Sequence, residues 1–280
     1  MNPGAHIGVS VAEYDRIPAL RSTVLRELAL GTPAHAHYKE QHGSKETREM
    51  LLGRCLHAAV LEPDLFDSQY LVVPHFGDYR SPVKRAERDA WKAERAGCTF
   101  IEVDDLELIK SWREGLYQHP LIGSLLVSRG QNELTLVWDD PIGPRCKARL
   151  DRLASFEGRA AIVEVKTSRS AAKWSFGRDV LSMGYHVQAG FYIRGLEQVY
   201  GEARRRFMFA VVEKDAPYLA AAYELTQDQM DICRRDAALA LSAYARCEAS
   251  GVWPGYSDEL QELEFPDWKM QDAPDRGAED

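Results

Sequence analysis

The sequence predicts a mixed α/β (α+β) fold in which helices flank a central mixed sheet, and three observations predict it. Apolar residues recur at helical spacing ahead of residue 120, three β-rich runs separated by turn signals fill 133–167, and a long helical stretch then precedes two further strand-like runs and a last helix. Residues 22–30 carry Val24, Leu25, Leu28 and Leu30 and stop at Gly31 and Pro33, as an amphipathic helix does. A second helix is expected over 46–61, where Met50, Leu51, Cys55, Leu56, Ala59 and Val60 repeat at helical spacing, Gly53 allows close packing and Pro63 lies just past the end. Residues 81–96, rich in Lys, Arg, Glu and Ala, predict an exposed helix anchored by Trp91. A helix over 104–117 puts Leu106, Ile109, Trp112 and Leu116 on one face and breaks before Pro120. Strands follow over 133–138, 146–153 and 160–167; the short connections at 139–143 and 157–158 predict an antiparallel meander. A helix over 184–200, strands over 206–212 and 218–223, and a helix over 227–247 complete the order, with no internal repeat.

Composition bounds the function. With 280 residues, 45% of them hydrophobic and 28% charged, the chain is globular, which excludes a disordered, collagen-like or disulfide-stapled protein. No apolar run approaches the roughly 20 residues of a membrane helix, and the start lacks a basic region followed by an apolar one, so a cytoplasmic protein without a membrane partner is expected. Cys55, Cys98, Cys146, Cys233 and Cys247 are scattered, so neither a zinc ribbon nor an iron–sulfur cluster is expected. No Walker A pattern occurs, so no ATP is expected. The net charge of −8 is uneven: 253–280 carries −7, whereas 145–178 holds nine basic residues against Asp151, Glu157 and Glu164. One domain over 1–252, with a helical N-terminal part, and an acidic, partly disordered tail over 253–280 are therefore expected.

The chemistry concentrates in the meander. The strand period of two puts Glu164 and Lys166 on one face, while Ile162, Val163 and Val165 supply packing. Asp151 lies in the preceding strand, close enough for its carboxylate to converge on Glu164. Two hard oxygen ligands beside a cation form a natural Mg²⁺ or Mn²⁺ site for phosphoryl chemistry. An isolated Glu-x-Lys in a strand is more often a salt bridge, but three features accompany this one. His57 sits in an apolar helix, Glu133 opens a bordering strand, and Gln188 and Tyr192 stand four apart on one helical face.

Gly53 and His57 spaced G-x-x-x-H, Lys147 to Asp151 spaced K-x-R-x-D, Glu164 to Thr167 reading E-V-K-T, and Gln188 and Tyr192 spaced Q-x-x-x-Y resemble the PD-(D/E)xK nuclease superfamily. Within it, the chain is similar to the exonuclease VIII (RecE-type) branch, with lambda exonuclease, RecB-type nuclease domains and CRISPR adaptation nucleases as more distant relatives. The resemblance spans about 22–252 and implies a restriction-endonuclease-like core. It implies that Asp151, Glu164 and the Val165 carbonyl hold Mg²⁺, with Mn²⁺ able to substitute, that His57 is a further ligand, and that Glu133 assists. By the same resemblance Lys166 orients or activates the attacking water, and Gln188 and Tyr192 contact the scissile phosphate or support Lys166. The basic residues Arg149, Arg152, Arg169 and Lys173 are expected to hold DNA.

The implied activity is ATP-independent digestion of linear double-stranded DNA from the 5′ end, leaving 3′ single-stranded tails for recombination. The implied partners are DNA ends, a RecT-type single-strand annealing protein and further copies of the chain in a ring, a trimer or tetramer, inside a bacterial or phage-infected cell. Two alternatives differ in class: a catalytically silent DNA-binding or assembly module, and a nuclease of other polarity such as a CRISPR-adaptation-type single-strand exonuclease. The intact charges of Asp151, Glu164 and Lys166 argue against the first, because such a set is costly to hold without a use.

Overall fold

Alternating and β-branched runs form a sheet, and the helical-period stretches cover it on both faces. The computed structural model describes residues 1–43, 45–78, 80–201 and 205–264. In chain order the elements are β1 (Gly4–His6), α1 (Val11–Arg16), α2 (Ser22–Leu30), α3 (Pro33–His42), α4 (Arg48–Leu61), α5 (Pro63–Gln69), β2 (Tyr70–Val72), α6 (Pro82–Ala93), β3 (Thr99–Ile101), α7 (Val103–Gln118), α8 (Pro120–Val127), β4 (Gly130–Asp139), β5 (Arg145–Phe156), β6 (Arg159–Ser168), α9 (Lys173–Ser182), α10 (Tyr185–Tyr200), β7 (Arg206–Glu213), β8 (Ala220–Glu224) and α11 (Gln227–Ser250). The mixed central sheet has the order β1-β4-β5-β6-β7-β8, and β2 pairs with β3 apart from it. Neighbours in the main sheet are antiparallel except β6 and β7, whose parallel pairing requires a long crossover that α9 and α10 supply.

Burial on both faces explains why β6 and β7 are nearly continuous apolar runs. One face, with Leu134, Leu136, Ile162 and Phe209, packs under α2, α9, α10 and α11. The opposite face, with Val163, Val165, Met208 and Ala210, packs under α4, α7 and α8 through Leu56, Ile109, Trp112 and Leu125. Helix α10 lies unusually close to α11, because a Cβ added to Gly190 would stand 2.0 Å from the Cys233 carbonyl oxygen.

Two departures from regular pairing open the sheet at its centre. The β5–β6 pairing runs from Phe156–Arg159 to Arg152–Val163 and stops there. At the same level β4 turns through a positive φ of 50° at Glu133, and the β4–β5 register passes from Asn132–Arg152 to Leu134–Leu150 without pairing Glu133 or Asp151. A fork results, with two carboxylates at its mouth.

Elsewhere three findings adjust the expectations. Gly53 has open space around its α-carbon, so it serves no close packing. Trp253 stacks on His37 at 4.3 Å, and the Pro254 carbonyl accepts from Ala34 N–H at 3.1 Å, so packing continues past residue 252. Of the expected acidic tail, 265–280 lies outside the described residues.

Candidate active site

The fork gives Asp151 two tasks. Its Oδ2 accepts the Val165 N–H at 2.7 Å, replacing the strand pairing that has stopped, and its Oδ1 stands 3.1 Å from His57 Nδ1, delivered by α4 from the other side. Possible ligand atoms of His57, Glu133 and Asp151 all lie within 4.8 Å of one another. On β6, Lys166 Nζ donates to Glu164 Oε1 at 2.7 Å, with its ammonium 4.8 Å from the centre of the Tyr185 ring. From α10, Gln188 spends both amide hydrogens, donating to Glu164 Oε1 at 2.7 Å and to the Tyr192 hydroxyl at 2.9 Å.

Burial and mutual charge set the protonation of this cluster. Burial works against ionisation of Asp151, yet the His57 charge and hydrogen bond, Lys166 and the Val165 N–H hold its carboxyl below the usual range. Glu164 is pushed up to about 7 by burial and by the Asp151 charge, against the pull of Lys166. Glu133 is likewise pushed up to about 7 by burial and Asp151, against Arg149 and His57. Burial would lower His57, but the Asp151 carboxylate overcomes it and raises the imidazole to about 9. Lys166, also opposed by burial, is raised by Glu164 and Asp151 and stays an ammonium.

A divalent cation suits this chemistry. Glu164 Oε2 and Gln188 Oε1 are buried acceptors without a hydrogen-bond partner, and buried oxygens are seldom left so unless something else uses them. Beside them, His57, Glu133 and Asp151 bring one nitrogen and two carboxylates within 4.8 Å of one another, a donor set that a hard divalent cation accepts.

The structure thus brings His57, Glu133, Asp151, Glu164, Lys166, Gln188 and Tyr192 together, with the Val165 peptide held beside Asp151. It corrects two roles. Arg152 is 5% exposed and donates to the Leu125 and Ser128 carbonyls and to Asn132 Oδ1, so it ties α8 to the sheet and offers nothing to DNA. Arg149 turns inward onto Glu133, with its Nη1 buried and unpartnered. Gln188 donates to the Glu164 Oε1 that Lys166 also holds, and Tyr192 accepts from Gln188. Arg169 and Lys173 are exposed just beyond β6.

Two residues were missed. Tyr185 carries the Lys166 ammonium, and Tyr14 lies under Lys147 and Arg149 at 4.7 and 5.8 Å from its ring centre. Lys147 Nζ donates to the carbonyls of Tyr14 and Ile17, both at 2.8 Å, and so pins α1 beside the fork. The Ser10-x-x-Glu13 capping box that starts α1 was the available signal.

A six-stranded mixed sheet opened between two strands, with Asp, Glu and Lys at the opening, defines a PDDEXK-like domain. The sequence matches the PDDEXK-like domain of unknown function DUF3799 over residues 22–264, and the chain belongs to that family. No curated protein matches it. Among solved structures it is similar to a protein of Eubacterium rectale that carries the provisional name exonuclease, with a TM-score of 0.61 and 11% identity over 96% of this chain and 100% of that one. At that identity the likeness shows the fold, which is restriction-endonuclease-like. A second structure, SSO0001, overlaps weakly, with a TM-score of 0.27 and 16% identity over 66% of this chain and 84% of the other. Family and fold together suggest nuclease chemistry.

Proposed function

We propose that this chain is a Mg²⁺-dependent, ATP-independent exonuclease that degrades linear double-stranded DNA from the 5′ end and leaves 3′ single-stranded tails. The observation that carries the proposal is the fork between β5 and β6, where Asp151 and Glu164 meet a Lys166 held as a cation. Membership of a PDDEXK-like family supports hydrolysis of a phosphodiester, and the resemblance to exonuclease VIII supports the substrate and direction.

His57, Glu133 and Asp151 would hold the ion, with Glu164 Oε2 as a further donor. When bound, a divalent ion neutralises charge on the phosphate and lowers the pKa of water. The chain's own groups do the rest. Lys166, raised above its ordinary range, orients the attacking water and stabilises the charge that grows on the phosphate oxygens; it is too basic to take the proton itself. The proton released by that water passes to bulk solvent, and Gln188 fixes the orientation of Glu164. A ring of copies around DNA would supply processivity, and an annealing protein of RecT type would take the 3′ tails.

The test is digestion of linear duplex labelled at one end or the other, in Mg²⁺ without ATP. Early release of the 5′ label with circular duplex intact is expected. Early release of the 3′ label would overturn the polarity, and nicking of circles would overturn the exonuclease reading.

A further inference from the structure

Most large apolar rings of this protein are spent inside it: Trp112 is 3% exposed and Trp138 2%. Trp174 is 80% exposed on α9, the helix that follows the strand bearing Glu164 and Lys166. An indole left in water needs a reason, and α9 offers none from packing. Its buried side is Phe176 and Val180, with Phe176 5.4 Å from Phe209 and 5.7 Å from Tyr223 between ring centres. Helical spacing puts Trp174, Gly177, Arg178 and Leu181 on the opposite, exposed side.

The neighbours of Trp174 are cationic and unspent. Arg169, Lys173 and Arg178 are all exposed, and among the described residues none has an ion pair or hydrogen bond through its side chain. The first turn of α9 holds no acid. Gly177 adds a second observation. A glycine inside an exposed helix costs up to about 1 kcal/mol against alanine, yet nothing lies within 4 Å of where its Cβ would be, so no packing demands it. It stands one helical turn from Trp174 on the exposed side.

The platform is also rigid and on the right side of the sheet. Ser168 Oγ donates to Asp179 Oδ2 at 2.7 Å, fastening α9 to the end of β6, and α9 packs on the face that holds Ile162 and α10, where Lys166 meets Tyr185. An exposed aromatic ring on a segment that also exposes three unpaired cations suits an unpaired nucleotide: the base stacks, and the phosphates on either side take the charges.

We propose that Trp174 is a stacking platform for an unpaired base, with Arg169, Lys173 and Arg178 holding the flanking phosphates, so that one strand reaches the reactive fork already separated from its complement. The proposal rests on the nuclease reading for its purpose but not for its test. Equilibrium binding of a short fluorescent oligo-dT is measured on the full chain in EDTA, where no cleavage is needed. Wild type is expected to bind and to lose tryptophan emission on doing so. Trp174→Ala should bind on the order of tenfold more weakly and lose that emission change, while Trp174→Phe keeps most of the affinity. Gly177→Gln should weaken binding although it strengthens the helix.

Unchanged affinity in Trp174→Ala, or no binding of oligo-dT by wild type, overturns the proposal. So does a Trp174→Ala variant that splits a homo-oligomer while each chain binds oligo-dT as before, which would give this face to a second copy. Duplex cleavage is scored separately: a chain that cleaves nothing but still binds through Trp174 loses the nuclease reading and keeps this site.

Discussion

At the scale of single residues, what matters is whether a charge is spent. Arg149, Arg152 and Arg169 look alike in the sequence, yet one is clamped to Glu133, one is buried among carbonyls and one is free in solvent. The difference comes from the fork, where β5 changes which face its residues present, and no spacing rule announces such a break. By contrast Glu164 and Lys166 were legible, because a period of two survives in a strand buried on both faces, and Asp151 was legible because a short meander must bring its neighbour near. The spent and unspent arginines should behave differently. Arg152→Ala strands three acceptors and should lower stability by about 2–3 kcal/mol in urea unfolding. Arg169→Ala should leave the unfolding midpoint alone, weaken duplex binding uniformly across sequences and reduce the salt slope by about one. Equal unfolding midpoints for the two variants would contradict these assignments.

At the scale of elements, the long helices and the meander were legible with bounds close to those observed, because each has a sustained period. The short ones were not. Pro33, Pro63 and Pro120 look like stop signals after the preceding helices, but each is the first residue of the next helix, α3, α5 and α8, where its missing N–H costs nothing. Strands β1, β2 and β3 span three residues each, too few to show alternation. Helix α9 escaped notice because only Phe176 and Val180 of it are buried. The site depends on one element junction above all. Gly190 lets α10 approach α11 and so fixes where Gln188 and Tyr192 meet Glu164. Gly190→Ala should force the helices apart and cost about 1–3 kcal/mol or more in thermal unfolding. An unchanged Tm would show that α11 yields without strain.

At the scale of the whole molecule, the basic centre read from 145–178 is not one surface. Lys147 is buried on α1 carbonyls, Arg149 and Lys166 belong to the site, and only part of the set faces solvent. Among the described residues no helix is long and apolar enough to cross a membrane. The cluster at the fork also links stability to pH. Glu164 and Glu133, raised to about 7 when folded, hold protons that the unfolded chain has released above about 4.5, so their contribution falls as pH rises between those values. His57, raised to about 9, stabilises fully below about 6.5 and loses that contribution as pH climbs to 9. In EDTA the site should therefore cost stability steadily from about pH 5 to 9, and Glu164→Gln should flatten the acid half of that slope. Mn²⁺, which needs these groups deprotonated, should raise Tm more at pH 8.5 than at pH 6. A Mn²⁺ shift that does not change with pH would remove this cluster from the metal site.

The central claim is that the fork of Asp151, Glu164 and Lys166 performs metal-dependent phosphodiester hydrolysis. Its most direct measurement is the rate of nucleotide release from linear duplex by wild type and by Lys166→Ala, side by side, in Mg²⁺ and in EDTA. Wild type should cleave only with Mg²⁺, and Lys166→Ala should be slower by at least about 10²–10³-fold while binding the same DNA as tightly. Equal rates for the two proteins, or release that persists in EDTA, would contradict it.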